Sequence, residues 1–247
     1  MKSYRALTVT LAKSSLREPV GMFFTLIFAP LLVAVFGLIF GTEPNPAFSG
    51  RRFVEATLPA TACLVVAITG TLLLPVNQLQ LRERGALTRL RITPLKPVTY
   101  VAADLTVNFV VSMAGILLAL AIGVLLFNVP VQSNLILVFL AVTLGLTAFL
   151  ALGYTLAAIY PSSSTASGIG NGVMIILVMT SGAFFPLTAL PSAVQNAINL
   201  SPLRQLVVLV QGIWEGGDWS DYLLQTGVLV GMIVVFGALG ARLFKWK

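Results

Sequence analysis

The feature that most constrains this chain is the uncharged run Leu105–Phe127, which a tight turn separates from the equally uncharged run Leu135–Tyr160. As a helix, about 20 apolar residues cross the ~30 Å hydrocarbon core of a bilayer. Lipid offers no partners to backbone N–H and C=O groups, so a spanning segment must satisfy them internally, and a helix does so. Comparable charge-free stretches run over Gly21–Gly41, Ala56–Leu81, Ile169–Phe185 and Leu223–Ala241. The reading is an all-α integral membrane protein with six transmembrane helices. Composition agrees, since only 9% of the 247 residues are charged, where a water-facing surface usually needs about 25%. No composition shift marks a separate soluble module, so residues 1–247 are read as a single transmembrane domain.

The few charges sit between the runs, and their placement sets orientation. Five of the 15 Lys/Arg and two of the 8 Asp/Glu lie between Arg82 and Asp104. The N-terminal segment, this loop and the C-terminus are basic, whereas 42–55, 128–134 and 186–222 are not. The positive-inside rule places both termini and the central loop in the cytoplasm. The net charge of +7 fits attraction to anionic lipid, not nucleic acid, because it is confined to loops. Residues 1–20 are read as an interfacial helix. Lys2, Arg5, Lys13 and Arg17 fall within an arc of roughly 120° at helical spacing, opposite Tyr4, Leu7 and Leu11. A disordered basic tail that only fixes topology is the alternative. Glu18-Pro19 ends that helix, and Pro75 is expected to kink the inner end of the second span. Residues 186–222 are read as an outer hairpin of short helices, with Trp214 and Trp219 at the wet interface.

As a catalyst the sequence offers little. It has no histidine, no phosphate-cradling G-x-x-x-x-G-K-[ST] run and no metal-ligand cluster. Carboxylates are missing from the middle of every span, and Glu55 and Asp104 at span edges are read as solvated or capping groups. Cys63 is read as a small packing residue. The chain is therefore not expected to be an enzyme. Uncharged polar groups do occur inside the runs. Thr57, Thr61, Thr69 and Thr71 share one half of the second helix and can bond back to their own backbone. The amides of Asn77, Gln78 and Asn171 need an interhelical partner or a watery path. Gly37/Gly41, Gly168/Gly172 and Gly227/Gly231 are candidate close-packing faces.

The loop holds more than an orientation signal requires. In Arg82–Thr93 a helix puts Arg84, Thr88 and Arg91 on one face and Glu83, Leu87 and Leu90 on another, and Thr93-Pro94 stops it. An exposed leucine pair beside charges suits docking to a partner. The segment Leu81-Arg-Glu-Arg-Gly-Ala-Leu-Thr-Arg-Leu-Arg-Ile-Thr-Pro-Leu95 resembles the signature after the second span in permease subunits of ABC-2 type exporters, the drug-resistance class. Phe184-Phe-Pro-Leu-Thr-Ala-Leu-Pro191 with Ser201-Pro-Leu203 is similar to their outer hairpin, and the likeness extends over nearly the whole chain. It implies a permease working as a dimer with a second, identical or homologous subunit, served by two ATP-binding-cassette ATPase chains that carry ATP and Mg. Residues 82–96 would be the coupling helix on the ATPase, using Arg82, Glu83, Arg84, Gly85, Leu87, Thr88, Leu90 and Arg91. Arg5, Lys13 and Arg17 would belong to the connecting helix. The resemblance places the second and fifth spans by the translocation path, making Thr61, Thr69, Asn77, Asn171, Met174 and Thr180 candidates to line it. Phe184, Phe185, Pro186, Pro191 and Pro202 would shape the outer hairpin. The implied activity is outward movement of amphipathic small molecules or lipids across a prokaryotic plasma membrane. Export of a lipid-linked or polysaccharide precursor, or a stand-alone channel or secondary transporter, are the competing readings.

Overall fold

A computed structural model of the chain describes residues 2–40, 43, 50–86, 97–131, 134–182, 195 and 198–243. The described residues form helices α1 (Lys2–Leu16), α2 (Pro19–Phe40), α3 (Phe53–Glu83), α4 (Pro97–Phe127), α5 (Leu135–Ile159), α6 (Ser163–Met179), α7 (Pro202–Trp214) and α8 (Leu223–Leu243). A 3₁₀ turn, Trp219–Tyr222, leads into α8.

Prolines shape the first two long helices without breaking them. Pro30 and Pro75 lack an N–H and crowd the carbonyl four residues back, which is Leu26 in one case and Thr71 in the other. Both carbonyls lie inside short π-helical segments, Phe23–Ile27 and Thr69–Leu73. The wider π turn gives the pyrrolidine ring room while the helix continues. The disturbance expected at Pro75 takes the form of a π-helical segment one turn earlier. At Glu18 the backbone is extended and Pro19 opens α2, as the Glu18-Pro19 pair predicts.

Helix α3 is the axis of the bundle. The most apolar stretch of α3 is 94% buried, against 17% for that of the last helix, so α3 is the core and α8 the periphery. It packs on α2, α4, α5, α6 and α7, while α8 packs mainly along α5. Leu58, Val65, Ile116, Phe149, Leu206 and Ile213 form the centre of the apolar core, and Cys63 is buried among them. Glycine brings backbones into contact at the seams. A Cβ on Gly70 would lie 2.5 Å from the Phe149 carbonyl oxygen, and one on Gly153 would lie 2.5 Å from that of Gly70. At Gly115 a Cβ would sit 1.9 Å from the Thr25 carbonyl oxygen, against backbone that cannot yield. Gly115→Ala is therefore expected to cost about 1–3 kcal/mol or more. Thermal melting of the purified protein checks it, with Gly168→Ala, which meets nothing within 4 Å, as the control.

Among the described residues, five helices are long and apolar enough to cross a membrane, and the chain is a multi-pass membrane protein. The sixth expected span differs. Instead of Ile169–Phe185, the helix starts at Ser163 and ends at Met179, 17 residues or ~26 Å long. Its early start follows from the cap at Ser162, whose Oγ accepts the Thr165 N–H at 3.2 Å. Phe184, Phe185, Pro186 and Pro191 lie outside the described residues. Pro202 opens α7 behind Ser201, and Leu203, Leu206, Val207 and Val210 all turn inward. Trp214 corrects the interfacial expectation. It is 3% exposed because it ends α7 on its buried face; Trp219 is half-buried.

Helix α1 lies along α4, with Tyr4 Oη and Thr106 Oγ1 2.8 Å apart. Its sides sort as the helical spacing predicts: Tyr4, Leu7 and Leu11 are half-buried, while Arg5, Lys13 and Arg17 are exposed. At the opposite end of the bundle, Arg52 donates to the carbonyls of Phe127 and Asn128 at 2.8 and 2.9 Å. Arg51 pairs with Glu215 at 2.6 Å. The charges of the 42–55 loop thus join the ends of α3, α4 and α7.

Candidate functional site

The charged loop begins as the last turn of α3. The expected coupling helix over Arg82–Thr93 does not start at Arg82: α3 runs through Glu83 and stops there. Gly85 makes the stop, with φ +67° and its N–H donating to the Arg82 carbonyl at 3.0 Å. That left-handed conformation at a helix end favours glycine. Leu87, Thr88, Leu90 and Arg91 lie outside the described residues.

Arg82 and Glu83 grip the α5–α6 turn from opposite sides. The Arg82 guanidinium donates to the carbonyls of Tyr160 and Pro161 at 3.3 and 3.1 Å, where α5 ends. Glu83 accepts the Ser163 backbone N–H at 2.7 Å and its hydroxyl at 2.6 Å, where α6 begins. A cation faces the negative end of one helix dipole and an anion the positive end of the next. The bonds to the Tyr160 carbonyl and from the Ser163 N–H satisfy helix-end groups that have no partner inside their own helix. The Glu83 carboxylate, assigned to a partner protein on sequence grounds, is engaged within the chain.

Behind this clamp lies a buried polar cluster. Asp104 is 7% exposed, which corrects its reading as a solvated edge residue. Its Oδ2 accepts from Gln78 Nε2 of α3 at 2.8 Å, from Asn108 Nδ2 of α4 at 3.2 Å and from the Tyr154 hydroxyl of α5. The Tyr100 hydroxyl donates to Gln78 Oε1 at 3.0 Å. Gln78 has the interhelical partner its amide requires. Alongside is a polar cavity of about 360 Å³, walled by Arg17 and Glu18 from the α1–α2 junction, Asn77 and Arg84 from the α3 end, and Asp104 and Asn108. Depth was the missing signal for Asp104. The sequence shows a carboxylate at the edge of an apolar run but not that α4 extends back to Pro97, past the loop.

The residues expected along a translocation path are not brought together in this chain. Thr61 is buried and bonds back to the Thr57 carbonyl at 2.9 Å, and Thr69 meets Ser112 of α4 at 3.1 Å. Both face the interior of the chain's own bundle. Asn171 is exposed on α6 and bonds back to the Ser167 carbonyl at 2.8 Å, and Met174 is half-buried beside it. Thr180, at the far end of α6, donates to Ser201 Oγ at 3.0 Å. Arg204 of α7 joins the same junction through the Ser181 carbonyl at 3.3 Å, and partial burial lowers the pKa of its guanidinium. Gly168 and Gly172 on α6 and Gly227 and Gly231 on α8 face open space, whereas Gly37 is packed against Phe127. Two apolar clefts of about 640 and 530 Å³ open along the α4–α5 seam, the first closed by α8.

Comparison with known proteins gives these observations a family. An Escherichia coli protein named as a probable multidrug ABC transporter permease, YbhS, is 22% identical over 175 residues, 70% of this chain and 46% of that relative. ABC transporter G family member 20 of Dictyostelium discoideum is 22% identical over 191 residues, 74% of this chain and 26% of that protein. A Porphyra purpurea protein named as a transport permease, ycf38, is 26% identical over 201 residues, 78% of this chain and 68% of its own length. The chain thus spans about half or less of the first two. Residues 44–242 match the family model described as ABC-2 family transporter protein. That match takes in the central helix, the charged loop and every later span, and the chain belongs to the ABC-2 family of membrane transport permeases.

Proposed function

We propose that this chain is the membrane-spanning half of an ATP-driven exporter, paired with a second permease and served by separate ATP-binding-cassette ATPases that bind ATP and Mg. In this reading α6 completes a sixth crossing, and both termini and the 82–96 loop lie in the cytoplasm of a prokaryotic plasma membrane. The ATPase docks on that loop. The open glycine faces of α6 and α8 are where a second permease would approach closely, and the exposed Asn171 side of α6 would face the path between the two copies. Cargo is an amphipathic small molecule or a lipid, moved outward.

The observation that carries this reading is the Arg82–Glu83 clamp. A loop that only set topology would need basic charge near the membrane. Here the end of α3 that leads into the loop is tied to the end of α5 and the start of α6 through four polar contacts, so a displacement of the loop that moves the end of α3 would also move α6.

Co-expression with an ATP-binding-cassette ATPase and reconstitution into inside-out vesicles tests it, with ethidium and a fluorescent phosphatidylethanolamine as probes. Accumulation or flipping is expected only with ATP and the ATPase together, and the probe that responds identifies the cargo class. Transport by the permease alone, without ATP, would place it among channels or secondary transporters.

A further inference from the structure

The Asp104 cluster is larger than a membrane helix needs for its own stability. A buried carboxylate is costly, and apolar side chains of equal volume often stabilise a core as well or better. Among the described residues Asp104 has no ion pair. The charged groups facing the neighbouring cavity are Arg17, Glu18 and Arg84. What the carboxylate supplies is direction. Donors from α3, α4 and α5 converge on one oxygen, so the helices cannot rotate independently without losing bonds to a charged acceptor. A second fixed point lies further along the same seam, where Gly70 and Gly153 bring the α3 and α5 backbones into contact. Two fixed points set the angle between two helices.

The cluster also sits at the neck of the loop. Gln78 lies on the helix entering it, and Asp104 and Tyr100 lie on the helix leaving it. We propose that Asp104 is a positioning residue that locks the loop-side ends of α3, α4 and α5 into one lever, leaving the exposed Arg82–Glu83 clamp as the route by which that lever moves α6. This inference deepens the exporter reading and rests on it for the source of the push. The lock itself does not depend on the ATPase.

Spin labels at Val98 and Ile159 read the lock directly. Both side chains are exposed, at 76% and 59%, near the start of α4 and the end of α5. In the full chain, reconstituted in nanodiscs with its ATPase, the label distance is expected to be narrow and identical without nucleotide and after vanadate trapping. An apolar replacement of the cluster, Gln78→Leu with Asp104→Leu and Tyr154→Phe, is expected to broaden the distance and make it respond to ATP. Asp104→Asn, which keeps one acceptor, serves if the triple variant does not fold, with a smaller broadening expected. A purely structural role would lower the melting temperature and leave the distance narrow. That result, or a wild-type distance that shifts on trapping, overturns the lock. If no ATPase associates yet the variants broaden the distance in the permease alone, the exporter reading fails and the lock stands.

Discussion

Glu83→Lys is expected to abolish most ATP-driven transport while leaving the permease folded and its ATPase attached. The carboxylate accepts both the N–H and the hydroxyl of Ser163 at the positive end of α6. A lysine there removes two acceptors and places a cation against the helix N-terminus, reversing the favourable dipole interaction. The contact is solvent-exposed and the core lies elsewhere, so expression and melting temperature should stay near wild type. Transport should fall on the order of tenfold or more, the factor expected when a charge-assisted bond is lost from the step that moves α6. Glu83→Gln keeps a neutral acceptor and should be intermediate, and Ser163→Ala, which loses only the hydroxyl, mildest. The measurement is ATP-dependent probe uptake per copurified complex. Loss of ATPase in Glu83→Lys, in parallel with transport, would return Glu83 to the docking surface and sink the clamp.

The contrast between Glu83 and Asp104 shows where sequence reasoning reached and where it stopped. Span existence was legible because hydrophobic length is a local property, and α2, α3, α4, α5 and α8 cover the runs expected of them. The face of α1 was legible for a similar reason, since helical spacing alone separates Tyr4, Leu7 and Leu11 from the basic side chains. Partners of polar side chains are not local. Thr57, Thr61 and Thr71 bond to their own helix, at 2.8, 2.9 and 2.7 Å, as a hydroxyl can. Thr69, chemically identical, reaches Ser112 instead. Only the depth and rotation of α4 decide between these outcomes. The same geometry turns Asp104 from an edge carboxylate into the centre of a cluster. It also makes α3 the core of the chain's own bundle, so Thr61 and Thr69 point inward. The expected start of the coupling helix at Arg82 differs for another reason. Arg82 and Glu83 are good helix formers that simply extend α3, and Gly85 sets the boundary with its left-handed φ.

Replacing Leu87 and Leu90 with aspartate is expected to strip the ATPase from the permease and leave the permease itself unchanged. In the exporter reading, with the Glu83 carboxylate occupied inside the chain, docking would fall to the rest of the 82–96 loop. Its leucines are the side chains that an orientation signal does not call for. Burying a leucine is worth about 1.5–3 kcal/mol, and two aspartates at the same positions would have to lose water wherever the leucines would be buried. The pair should therefore cost on the order of a hundredfold in affinity or more. Copurification from detergent and titration of the isolated ATPase against nanodisc-held permease both read this. Melting temperature and the Val98–Ile159 label distance should match wild type, because neither Asp104 nor Gly70 is touched. The two variants then separate the steps of one movement: Leu87→Asp with Leu90→Asp fails to receive the push, and Glu83→Lys receives it without passing it to α6. Wild-type copurification of the ATPase with the leucine variant would leave the loop as a topological anchor, and the source of any push on α3 would have to lie elsewhere on the same face, where Arg5, Lys13 and Arg17 of the first helix are exposed.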